Sequence, residues 1–147
     1  MIDRFERFSL AISEISRCWH KIAADEMEKH GLKGSHAIYL TTLYRYPDGV
    51  TAARLGELCG KDKADVSRMM SIMEKKALVV KEGNSYRAQL KLTDTGLLAA
   101  EHVRDRATVA VENASRGLSD EHRAVFYEAL ERIVTNLQTI CEEGLPR

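Results

Sequence analysis

The chain predicts a mainly α-helical fold with a small β-hairpin, and three observations carry that expectation. Only two prolines, Pro47 and Pro146, interrupt 147 residues, so long stretches are free to run as helix. Apolar residues recur at steps of three and four toward both ends of the chain. Between them, residues 78–92 change to β-prone, alternating sequence around a turn. This length fits one domain of ordinary size with a real core.

Taken in order, Phe5, Phe8, Ile12, Ile15, Trp19 and Ile22 form a seam that predicts a long N-terminal helix packing on other helices or across a dimer axis. The helix is expected to end near His30-Gly31, where glycine suits the first residue past a helix. Ser35 can cap a second helix through Ile38, Leu40 and Leu43, and Pro47-Asp48-Gly49 then turns the chain. Thr51 is a good cap for a third helix through Ala53, Leu55 and Leu58 to about Cys59, with Gly60 supplying the corner.

Asp62 is placed to cap a fourth helix, and Asp65 falls at its third position, where a carboxylate favours the positive helix end. Val66, Met69, Met70 and Met73 make its inward face, while Lys63, Ala64, Ser67, Arg68 and Ser71 share the opposite stripe. An ordinary amphipathic helix with a solvated face would look the same. The next segment separates the two readings. Leu78 to Lys81 is β-prone, Glu82-Gly83-Asn84-Ser85 is turn chemistry, and Tyr86 to Leu92 alternates, with Ala88, Leu90 and Leu92 on one face and Arg87, Gln89 and Lys91 on the other. Helix, sharp turn, helix and basic hairpin is the layout of a winged helix-turn-helix, in which one helix reads the major groove of double-stranded DNA and the hairpin reaches beside it. Lys63, Ala64, Ser67, Arg68 and Ser71 are then the groove candidates, Arg54 a backbone contact, and Arg87 the minor-groove candidate.

After Thr93 a long helix is expected through Leu97, Leu98, Val103, Ala107 and Ala110 to about Arg116-Gly117. Ser119 caps a last helix, whose stripe of Val125, Phe126, Ala129, Leu130, Ile133, Val134, Leu137 and Ile140 is wide. One small domain has little room to bury this stripe and the N-terminal seam separately, whereas two chains paired through both would bury them together. The expected organisation is therefore one domain, 1–147, with a winged helix-turn-helix lobe at about 35–95 and dimerisation helices at about 1–30 and 96–147.

The formal net charge is zero, but the charge is unevenly spread. Arg54 to Lys91 holds nine Lys or Arg against five acids, a net of +4, and Glu112 to Glu143 holds seven acids against three Arg, a net of −4. A basic centre with an acidic distal segment suits a polarised DNA binder. No apolar run reaches membrane-span length and the N-terminus has no signal-like apolar region, so no membrane partner and a cytoplasmic location are expected. Cys18, Cys59 and Cys141 are too scattered for a disulfide framework and read as small buried hydrophobes. The five histidines show no short zinc-site spacing, and no phosphate loop, nucleophile elbow or HExxH appears. An enzyme, a resident metal and a cofactor are not expected.

Four stretches now matter together: Ala53-Arg54-Leu55-Gly56-Glu57-Leu58; Lys63-Ala64-Asp65-Val66-Ser67-Arg68 with Met73-Glu74-Lys75-Lys76-Ala77-Leu78-Val79; Leu92-Thr93-Asp94-Thr95-Gly96; and Leu118-Ser119-Asp120-Glu121 leading to Leu130-Glu131-Arg132-Ile133. With these, nearly the whole chain resembles the MarR family of bacterial transcriptional regulators. The resemblance implies a homodimeric regulator, usually a repressor, that binds operator DNA and is released by a small-molecule, metal or oxidant signal. It also implies a ligand cleft between the dimerisation helices and the DNA-binding lobe, near which Trp19, His20, His36, Tyr39, Tyr44 and His102 are the aromatic or polar residues. The family's wing commonly carries Asp-x-Arg, where this chain has Asn84-Ser85-Tyr86 and Arg87 one residue later. Its recognition helix has Ala64 and Asp65 where Ser or Thr is common. The peroxide-sensing cysteine of some relatives would fall near Ser9 rather than Cys18. The competing readings are a winged-helix protein-interaction module without operator binding and a metal-responsive regulator.

Overall fold

A computed structural model describes residues 3–83 and 87–147. Asp3 starts the first helix by accepting the Glu6 N–H, and α1 runs Arg4–Glu28. It closes when Leu32 N–H donates to the Met27 carbonyl and Gly31 N–H to Glu28, with Gly31 left-handed. The next helix starts differently from the sequence expectation. No capping bond from Ser35 forms; a 3₁₀ turn, Gly34–His36, leads into α2, Ala37–Tyr44, and the His36 ring nitrogen Nδ1 accepts the Lys33 N–H at 3.1 Å. An imidazole tucked beneath the turn replaces the expected serine cap.

Thr51 caps α3, Ala52–Cys59, by accepting the Arg54 N–H, and Asp62 caps α4, Lys63–Lys75, by accepting the Asp65 N–H at 2.7 Å. Gly60, left-handed, makes the corner between them. Strands β1, Val79–Glu82, and β2, Gln89–Leu92, pair antiparallel in the register Val79↔Leu92 to Glu82↔Gln89. The Val50 backbone adds a bridge to Leu90 on the far edge of β2.

Helix α5, Asp94–Ala114, begins at Thr93, whose hydroxyl accepts the Gly96 N–H and donates to the Ala77 carbonyl at 2.6 Å. Its buried face is Gly96, Ala99, Ala100 and Val103, and Leu98 is 68% exposed. The cause is close backbone approach: a Cβ on Gly96 would lie 2.0 Å from the Leu78 carbonyl oxygen, so small residues face the lobe.

The chain divides into two compact units, Met1–Ala107 and Thr108–Arg147. The first holds the core, in which Met27, Tyr39, Leu40, Leu55 and Met73 are fully buried. In the second, Ser119 accepts the His122 N–H to cap α6, Asp120–Glu143, and Arg123 donates to the Ser115 carbonyl at 3.3 Å. No residue of α6 is buried, and Val125, Phe126, Val134 and Leu137 of the expected stripe are exposed. The N-terminal seam is likewise exposed from Phe5 to Ile22 within the single chain, which buries only Met27 of α1. Among the described residues, no helix is long and apolar enough to cross a membrane.

Candidate nucleic-acid interface

The outer face of α4 follows from its inner one. Burial of Val66, Met70 and Met73, with Met69 partly buried, fixes the helix rotation, so Lys63, Ala64, Ser67, Arg68 and Ser71 are all exposed on the other side. Three of these carry hydrogen-bonding groups at the N-terminal end of the helix, where its backbone field favours anions. Asp65, between them, does something the sequence reading missed. Its side chain accepts a hydrogen bond from the Tyr39 hydroxyl of α2 and lies 3.5 Å from Arg68 Nη2. Only the identity of Tyr39 as a buried polar aromatic hints at this, and nothing in the spacing of 26 residues does.

Arg54 lies on the exposed side of α3 and forms an ion pair with Glu57 at 3.1 Å. The wing departs from simple alternation. Strand β2 starts at Gln89, so Arg87 precedes the ladder; it is exposed, but strand geometry does not aim it. Gln89 and Lys91 are half-buried because their side chains lie over Gly49 of the Tyr46–Gly49 turn, and Lys91 is spent on Glu82 at 2.9 Å. That hydrogen-bonded carboxylate raises the Lys91 pKa. Asn84, Ser85 and Tyr86, where the family's wing pair would fall, lie outside the described residues.

Within the first unit a cavity of about 560 Å³ opens between α1, α2 and α5. Trp19, Ile22, Ala23, Met27, Ile38 and Val103 give it apolar walls, and His20, Glu26 and Lys61 bring polar groups to it. Of the effector candidates, Trp19 and His20 line this cavity. His36 and Tyr39 are instead core residues, at 1% and 0% exposure. Tyr44 is half-buried beneath the Arg104 guanidinium, 4.6 Å from its ring centre. His102 lies 3.4 Å from Glu26 and edge-on to His30. Glu26 is the hub there, also meeting Lys29 at 2.9 Å and Arg106 at 3.5 Å, and its pKa is lowered chiefly by the Lys29 hydrogen bond.

Cys59 is buried as expected, its thiol donating to Thr42 Oγ1, and burial raises its pKa. Cys18 and Cys141 are exposed, contrary to the reading of each cysteine as a buried hydrophobe, because both sit on terminal helices that contribute almost nothing to the core. Among the described residues, no three His, Cys, Asp or Glu side chains converge as a metal site.

These features define a winged helix-turn-helix whose second helix, α4, exposes a polar stripe. Residues 30–86 match the MarR family model. The fold agrees over almost the full chain. A MarR regulator from Methanosarcina mazei Go1 is 21% identical with a TM-score of 0.82, covering 95% of this chain and 94% of that one. A putative MarR regulator from Listeria monocytogenes, crystallised with a 26mer DNA, is 20% identical with a TM-score of 0.80, covering 100% and 99%. MepR of Staphylococcus aureus in its DNA complex is 20% identical with a TM-score of 0.78, covering 88% and 96%. At these identities the likeness is one of fold. No curated protein matches the sequence.

Proposed function

We propose that this chain is a sequence-specific DNA-binding transcriptional regulator, acting as a homodimeric repressor that a small-molecule effector releases. The observation that carries the reading is the exposed stripe of Lys63, Ser67, Arg68 and Ser71 on a helix whose opposite face is locked into the core. Such a helix is held rigidly enough to present side chains to base edges in a major groove. Lys63, Ala64, Ser67, Arg68 and Ser71 enter the groove, Arg54 holds the backbone and Arg87 flanks the minor groove. Two proteins of the same fold were crystallised with DNA, which supports the DNA-binding reading.

Dimerisation is supported by the apolar residues that the single chain leaves exposed on α1 and α6. The cavity beside Trp19 is the effector site in this reading: apolar walls with the polar groups of His20, Glu26 and Lys61 suit a small, largely apolar molecule that carries a polar group. An effector releases DNA by binding better to a dimer whose recognition helices no longer match successive grooves.

Selection of bound duplexes from a random pool tests the function. Enrichment of a two-fold symmetric site, with affinity that falls steeply as salt rises, is the expected result. Recovery of no preferred sequence would favour a winged-helix module that engages proteins instead.

A further inference from the structure

We propose that Tyr39 and Asp65 are a positioning pair for base readout: the Tyr39 hydroxyl holds the Asp65 carboxylate against the protein, and that carboxylate orients the Arg68 guanidinium. The inference rests on the DNA-binding reading of α4.

A carboxylate on the groove-facing end of a recognition helix needs an account, because a free one would repel phosphates. Capping does not supply it. The Asp65 N–H is satisfied by the Asp62 carboxylate, so Asp62 is the cap and the Asp65 side chain is left for other partners. Its partners lie on opposite sides. Inward is the hydroxyl of Tyr39, a fully buried residue of α2. Outward is Arg68 Nη2 at 3.5 Å, one turn along the same helix. The exposures match that ordering, 24% for the Asp65 side chain against 67% for Arg68.

The donor is fixed: burial, then the hydrogen bond to Asp65, raises the Tyr39 phenol well above its ordinary range, so it remains protonated and donates. A hydrogen bond to an ionised acceptor is among the stronger kinds, and the N-terminal field of α4 also favours the charge. The Arg68 ion pair, by contrast, is exposed and contributes little to stability. Its consequence is orientation. With one edge of the guanidinium held, fewer rotamers must be frozen when the remaining donors meet a base. A recognition helix that spends an acid in this way gains sequence preference rather than raw affinity.

The test compares wild type, Tyr39→Phe, Asp65→Asn, Arg68→Ala and the double variant Tyr39→Phe/Arg68→Ala on the duplex selected by wild type and on a random duplex. Tyr39→Phe and Asp65→Asn should each lower the ratio of selected to random affinity by about three- to tenfold, with random-duplex binding by Tyr39→Phe nearly unchanged. Tyr39→Phe should add nothing once Arg68 is alanine. If Asp65 were only a surface acid, Asp65→Asn would tighten both duplexes alike, and that result overturns the proposal. So does full additivity in the double variant, or a parallel loss on both duplexes by Tyr39→Phe, which would mark a purely structural role. Wild type that selects no duplex would sink the function reading and this inference together, whereas a selective wild type with indifferent variants sinks the inference alone.

Discussion

His36 shows how one side chain ties the lobe to pH. It is buried, its Nδ1 takes the Lys33 N–H, and its Nε2 has no hydrogen-bonding partner among the described residues. Burial is the main cause that lowers its pKa from 6.5; the Lys33 carbonyl and Asp65 oppose it, and Lys33 and Lys76 add to it. A lowered histidine pKa means that the unfolded chain binds more protons just below pH 6.5, so stability is complete above that value and declines as pH falls toward the folded pKa. His30, lowered chiefly by burial and then by His102, acts in the same direction. His36→Asn keeps an acceptor for Lys33 and removes one titration. The drop in melting temperature between about pH 8 and about pH 5 should therefore shrink in the variant; an unchanged drop would show that His36 does not titrate on unfolding. For the recognition residues, Arg68→Ala should cost roughly 1–3 kcal/mol of specific binding and relax preference at one base pair per half-site. Arg87→Ala should weaken binding more on A·T-rich than on G·C-rich flanks, since a narrow minor groove attracts arginine. Equal binding by Arg87→Ala and wild type to both flanks would take the wing off the DNA.

Three helices of the first unit end in the same way. In α1, α3 and α4 the second residue beyond the close donates six back to one and its predecessor five back to two: Leu32 to Met27 and Gly31 to Glu28, Lys61 to Gly56 and Gly60 to Glu57, Leu78 to Met73 and Ala77 to Glu74. The left-handed position is glycine in the first two, at φ 66° and 65°, but Ala77 in the third, at φ 58°. A Cβ there costs roughly 1–2 kcal/mol, part of which glycine would forfeit through the greater freedom of its unfolded chain. Ala77→Gly is thus expected to stabilise the fold by about 0.5 kcal/mol in denaturant titration. A destabilised variant would mean that Ala77 contributes packing that outweighs its backbone strain. The Thr93 hydroxyl on the Ala77 carbonyl explains why this end must hold: it joins the close of α4 to the start of α5, with β1 and β2 between them.

For the whole molecule, the expected state is a dimer of the 16.6 kDa chain. Static light scattering at micromolar concentration should give twice that mass, and deleting the residues before Ile12 should shift the balance toward monomer before the lobe unfolds. A clean monomer would overturn the proposed pairing of α1 and α6. Trp19 is the only tryptophan and lines the cavity, so its fluorescence reports directly on occupancy. A panel of aromatic carboxylates should include compounds that quench it saturably and weaken DNA binding over the same concentration range; quenching without any change in DNA affinity would separate the cavity from regulation.

What the sequence determined by itself was whatever depends on neighbours along the chain. The caps at Thr51, Asp62 and Ser119, the left-handed Gly60, the inward face of α4 and the register-forming hairpin are set by contacts within a few residues or by a repeating period. The exposed positions of Lys63, Ser67 and Arg68 were legible for the same reason, as the complement of a buried stripe. Only the tertiary structure decided the rest. Ser35 makes no capping bond and the buried His36 imidazole accepts at that turn instead, Gly96 and Ala99 face inward on α5 because the Leu78 carbonyl passes there, and Lys91 pairs across the hairpin with Glu82. Asp65, which reads locally as a helix-start acid, is held by Tyr39 from another helix. The outcomes at Gly96 and Asp65 turn on which backbone or side chain arrives from far along the chain, and periodicity carries no record of that distance.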